Sequence, residues 1–136
     1  MNIAVRNFQS KIPVDPKRIK RAILEVLSKK GAKKSGEITV CFVSDRKIRE
    51  LNKKFLHKDS PTDVLVFPMP REGRLFADIV ISVDTAVRNA RIFKTRVSGE
   101  LSLYAVHGAL HLAGYDDKTT KQRQIMRKKE RQYVHT

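Results

Sequence analysis

The stretch Glu100-Leu-Ser-Leu-Tyr-Ala-Val-His107-Gly-Ala-Leu-His111-Leu-Ala-Gly114-Tyr-Asp116-Asp117 reads as a helix that Ser98 can cap and Gly114 can end. Residues four apart stack on one helical face, so His107 and His111 can offer two imidazole nitrogens to one ion at about 2.0 to 2.1 Å. Gly114 permits the left-handed conformation that ends the helix, and the residues after it can return Asp117 as a third ligand through a carboxylate oxygen. Two imidazoles and a carboxylate suit Zn²⁺, and three protein ligands leave a fourth position for water, a catalytic layout rather than a structural one. Plain helix packing also produces such a histidine pair, and Asp116 or Asp117 can instead cap a following helix. Glu100 lies two turns before His107 on the same face, where it either supports that ring or begins the helix. A zinc protease of the His-Glu-x-x-His type needs its general base beside the first histidine, and Gly108 stands there, which argues against proteolysis of that type.

Outward from this helix, the chain alternates strand and helix signals. Asn2 to Asn7 places Ile3 and Val5 on alternate positions of a short strand. Asp15-Pro16 opens a helix bearing Ile19, Ala22, Ile23, Val26 and Leu27, closed at Gly31. Glu37 to Val43 is β-rich, and Ser44 or Asp45 can cap a second helix with Ile48, Leu51, Asn52 and Phe55 on its buried stripe. Val64 to Phe67 reads as a buried strand stopped by Pro68, and Leu75 to Val83 as another, in which Asp78 is a carboxylate in need of a hydrogen-bonding partner. Asp84 can cap a helix bearing Ala86, Val87, Ala90 and Phe93, and Lys118 to Val134 reads as a last basic helix anchored by Ile125, Met126 and Tyr133. Cys41, Phe55, Phe67, Phe76 and Phe93 fall on positions expected to be buried. Four strands interleaved with about five helices predict an α+β fold: one domain over residues 1–136, with a roughly four-stranded mixed sheet packed with helices.

Composition narrows the partners. The chain has 136 residues, 40% hydrophobic and 32% charged, enough apolar material for a folded core. Its formal net charge is +15, a field that attracts polyanions, nucleic acid first. The excess is concentrated: Lys17 to Lys34 holds eight basic residues and one acidic, and Lys118 to Thr136 holds seven and one, Glu130. A single cysteine forms no intrachain disulfide, and neither a signal-peptide core nor an apolar run of membrane-spanning length is present, so the expected setting is cytoplasmic, with no membrane partner.

The sequence resembles the YbeY-type endoribonucleases, bacterial ribosomal-RNA maturation factors. Their signature His-Gly-x-Leu-His-Leu-x-Gly-Tyr-Asp-His is matched at His107, Gly108, Leu110, His111, Leu112, Gly114, Tyr115 and Asp116, and its terminal histidine is here Asp117. A second block is similar: Leu51-Asn52, Asp59, Pro61-Thr62-Asp63-Val64-Leu65 and Phe67-Pro68, with Val66 in place of the family serine. Asp78-Ile79 and Ile81-Ser82 resemble a third, with Ala77 where the family usually has glycine.

The resemblance implies a small α+β fold, a zinc ion on His107, His111 and Asp117, and metal-dependent cleavage of single-stranded RNA in ribosomal RNA maturation and ribosome quality control. The ribosome or its small subunit is then the expected partner. Asp117 exchanges a neutral ligand for an anion, which shifts preference toward harder ions. The family tends to place an arginine where this chain has Leu56, and Lys53, Lys54 or His57 are the nearby candidates to contact RNA in its stead. The competing reading is a non-catalytic RNA-binding assembly factor whose metal is structural or absent.

Overall fold

The computed structural model describes residues 1–29 and 35–134. Gly31, expected to close the first helix, lies outside the described residues. Four strands, β1 (Asn2–Asn7), β2 (Gly36–Val43), β3 (Val64–Pro68) and β4 (Leu75–Ser82), form one sheet in the order β1-β2-β4-β3. β1 and β4 run parallel to β2, and β3 runs antiparallel to β4, with Val66 opposite Ile79. Among the described residues five helices complete the fold: α1 (Pro16–Lys29), α2 (Asp45–Leu56), α3 (Val83–Phe93), α4 (Val97–Leu112) and α5 (Thr120–Tyr133). The expected α+β class, with a mixed sheet and helices against it, is borne out. No helix among the described residues is long and apolar enough to cross a membrane.

The two faces of the sheet are covered unequally. Alternation along β4 sends Ala77, Ile79 and Ile81 into the main core with Ile23 and Val26 of α1, Leu101, Ala105 and Leu110 of α4, and Met126 and Tyr133 of α5. Val80 points the other way and joins only a small cluster with Val43, Ile48 and Leu65, flanked by Cys41, Leu51 and Phe67. That thin cover corrects the expected burial of Phe55, Phe67 and Phe76, and Phe93, at the end of α3, is exposed as well. Phe55 is 52% and Phe93 64% exposed, Phe67 and Phe76 are half-buried, and β3 is a partly buried edge strand rather than a buried one.

Helix starts also differ from several expectations. Ser44 caps α2 by accepting from Lys47 N–H, as one of the two candidates. Ser82, not Asp84, caps α3 by accepting from Thr85 N–H at 3.2 Å, while Asp84 in the first turn accepts from Asp45 N–H at 2.8 Å. α4 begins after Arg96 with no side-chain cap, so Ser98 already lies inside the helix. Thr119 and Gln122 form a reciprocal capping box for α5, which leaves Asp116 and Asp117 free of capping duty. On α5 Met126 is buried, whereas Ile125 is 42% exposed and does not anchor it.

Gly108 sets how closely α4 approaches the sheet. A Cβ there would lie 2.9 Å from Cγ2 and 3.2 Å from Cδ1 of Ile79, which is itself fully buried. Overpacking of this kind costs about 1–3 kcal/mol, and alanine's better helix propensity returns about 1 kcal/mol. Gly108→Ala is therefore expected to lower the unfolding free energy by roughly 1 kcal/mol in urea titration, the balance of those two effects. An unchanged or raised midpoint would show that Ile79 retreats freely.

Candidate metal centre

His107 and His111 occupy the last turns of α4, with ring centroids 4.7 Å apart. Beyond Ala113 the chain reverses at Gly114, whose φ of +104° is strained for residues with a side chain. That reversal brings Asp117 back beneath the helix end. Nε2 of His107 lies 3.1 Å from Nε2 of His111, and Oδ2 of Asp117 lies 3.3 Å and 3.4 Å from the two nitrogens. The three expected ligands thus come together, and their donor atoms lie within 4.8 Å of one another.

The donor set fits a divalent ion. Bonds of about 2.0–2.1 Å in tetrahedral geometry separate two ligand atoms by about 3.3–3.4 Å, close to the three separations found. The tautomer supports the same conclusion. Nδ1 of His107 lies 2.7 Å from Oε2 of Glu130, a carboxylate that accepts the Nδ1 proton and leaves the neutral ring's Nε2 lone pair facing the triangle. Lone pairs converging at these distances repel unless a proton or cation lies among them. The surroundings favour positive charge: burial alone would pull the His107 pKa down, but the hydrogen bond and charge of Glu130, with Asp63 and Asp117, outweigh it and raise it.

Glu130 was not among the expected site residues. It belongs to the buried stripe of α5 with Met126 and Tyr133, spaced four and three apart, and an acid on a core-facing stripe is the signal that could have found it. Glu100 does not support His107. It is buried in the first turn of α4 beside Thr95, and burial, with the charge of Asp63, raises its pKa against the Thr95 hydrogen bond.

A groove of about 920 Å³ opens at the triangle. Its walls include Asn52 and Leu56 of α2, the loop from Lys58 to Asp63, β3, and Tyr115 to Lys118. Asn52 ties α2 to that loop, Nδ2 donating to the Ser60 carbonyl at 2.9 Å. Lys58 and Lys118 line this groove, whereas Lys53, Lys54 and His57 do not. His57 closes α2 in the left-handed conformation at φ 59°, and Lys54 Nζ lies over the Phe55 ring. Leu56, at the family's arginine position, is 49% exposed on the wall.

Fold and centre together define an α+β protein with a two-histidine, one-carboxylate candidate cation site on one helix and the bend that follows it. The sequence profile described as Endoribonuclease YbeY matches residues 4–136, and the chain belongs to that family. Among relatives named Endoribonuclease YbeY, that of Elusimicrobium minutum is 46% identical over 102 residues, covering 71% of each chain. That of Pelotomaculum thermopropionicum is 37% identical over 145 residues, covering 98% of this chain and 95% of its own. The solution structure of a protein from Thermotoga maritima, 32% identical, matches with a TM-score of 0.67 over 97% of this chain and 86% of that one. The resemblance read from the histidine helix and the two other blocks is borne out.

Proposed function

We propose that this chain is a zinc-dependent endoribonuclease that cleaves single-stranded RNA during ribosomal RNA maturation and quality control, in the cytoplasm and with the ribosome or its small subunit as partner. The observation that carries this reading is the triangle of His107, His111 and Asp117 with sides of 3.1 to 3.4 Å, opening into a groove that Lys58 and Lys118 flank. The three residues would hold the ion, which when bound supplies Lewis acidity for phosphodiester hydrolysis. Glu130 holds the His107 proton on Nδ1 and so fixes which nitrogen faces the ion. Lys58 and Lys118 hold phosphates as point charges, and the apolar walls at Val64, Leu65 and Leu112 lower the local dielectric around them.

Leu56 favours a second reading, a non-catalytic RNA-binding assembly factor, because no guanidinium extends from that wall position. Cleavage of a labelled single-stranded RNA separates the two. Activity is expected to vanish after chelation and return with zinc, whereas full activity of the stripped protein would overturn the metal-dependent reading. Binding is expected to weaken with salt, at a log–log slope of about −0.7 per phosphate neutralised. A flat salt response would remove RNA from the account.

A further inference from the structure

The sheet's thinly covered face holds a second groove of about 970 Å³. Four of the chain's exposed large apolar residues line it: Phe8 (60% exposed), Phe55 (52%), Leu56 (49%) and Met69 (40%). Cations sit on both aromatic rings, Arg6 at 5.2 Å from the Phe8 centroid and Lys54 at 5.2 Å from that of Phe55. The groove is continuous with the first, since Leu56, Val66 and Pro68 line both. Its carboxylate is Asp78, half-buried on β4 and without a hydrogen bond or ion pair among the described residues.

Exposed aromatic faces bordered by cations are what single-stranded nucleic acid requires, because every base has a π-face and every linkage a phosphate. We propose that this groove is a nucleobase subsite for an RNA strand that crosses the β3 edge from the metal groove, the base stacking on Phe55 with its edge toward Asp78. The inference rests on the RNA-cleaving reading above. A base arriving on Phe55 displaces the Lys54 ammonium from the ring toward the neighbouring phosphate. Carboxylate oxygens accept hydrogen bonds, so Asp78 favours cytosine, whose N4 amino group donates, over uracil, whose one donor, N3–H, lies between the acceptors O2 and O4 that repel a carboxylate.

The test is fluorescence anisotropy of labelled 12-nucleotide oligo(C) and oligo(U) RNA with the zinc-loaded protein at fixed salt, read at times when a denaturing gel shows the RNA intact. Phe55→Ala is expected to weaken binding of both by about 5- to 100-fold, Phe55→Tyr to restore it, and Asp78→Asn to remove a preference of about fivefold or more for oligo(C). Melting midpoint and zinc content of each variant report on the fold separately. Wild-type affinity in Phe55→Ala, with salt-dependent binding and chelator-sensitive cleavage intact, overturns the subsite and leaves the proposed function standing. Equal wild-type affinity for the two RNAs overturns the role of Asp78. A wild-type dimer that Phe55→Ala dissociates while RNA binding stays unchanged assigns the groove to a second copy and also overturns the subsite. Failure of the wild type to bind RNA overturns both readings.

Discussion

Asp117→Ala is expected to bind zinc at least about a hundredfold more weakly than the parent chain and to lose cleavage in parallel. Loss of an outer partner of a metal ligand typically costs 10–100-fold, and Asp117 is a donor itself, 3.3 Å and 3.4 Å from the two imidazole nitrogens. Without it two neutral rings remain, both on α4, and the site has no anion among its direct donors. The side chain is 40% exposed and caps no helix, because Thr119 and Gln122 perform that task, so its truncation should leave the fold intact. Asp117→His restores a third donor and is expected to recover zinc binding while shifting preference away from harder ions. Competition against a chromophoric chelator reads both variants. Wild-type affinity in Asp117→Ala would remove Asp117 from the ligand set.

Much of this centre was legible because helical geometry is local. Histidines four apart must share a face, and a glycine after them marks where the chain can turn, which is why spacing joined His107 to His111 and offered Asp117 as a third ligand, with helix capping as its alternative. The strands were legible for the same reason, through alternation in Asn2–Asn7 and the β-branched run before Val43. What escaped depends on how many layers cover each surface. Phe55 falls on the right spacing for burial beside Ile48 and Leu51, yet it stays half exposed because the α2 face of the sheet lacks the cover that α1, α4 and α5 give the other. The groove cations were likewise misplaced: Lys53 and Lys54 precede the left-handed residue His57, and only after that reversal does the chain carry Lys58 into the groove. Cap choice turned on a competition that spacing cannot rank. Ser82 and Asp84 are two residues apart, and Ser82 takes the cap while Asp84 accepts from Asp45 across the packed helix ends.

Glu130 shows how a long-range contact hides in composition, where it was one acid in a block of seven cations. Its expected weight is large. The carboxylate lies 2.7 Å from Nδ1 of His107 and its side chain is only 15% exposed, so it fixes the ring's tautomer and orientation from a different helix. Glu130→Ala is expected to weaken zinc binding by about 10- to 100-fold, in the range found for carboxylates behind ligating histidines. Glu130→Gln keeps an oxygen that can accept the Nδ1 proton but removes the charge, and should lie between the parent and Glu130→Ala. That ordering distinguishes positioning from packing. If the charge and the accepted proton matter, glutamine recovers part of the affinity and alanine none, measured by chelator competition at matched stability. If Glu130 only fills space between α4 and α5, affinity per folded molecule is unchanged in both variants and melting temperature alone moves, which would detach α5 from the chemistry.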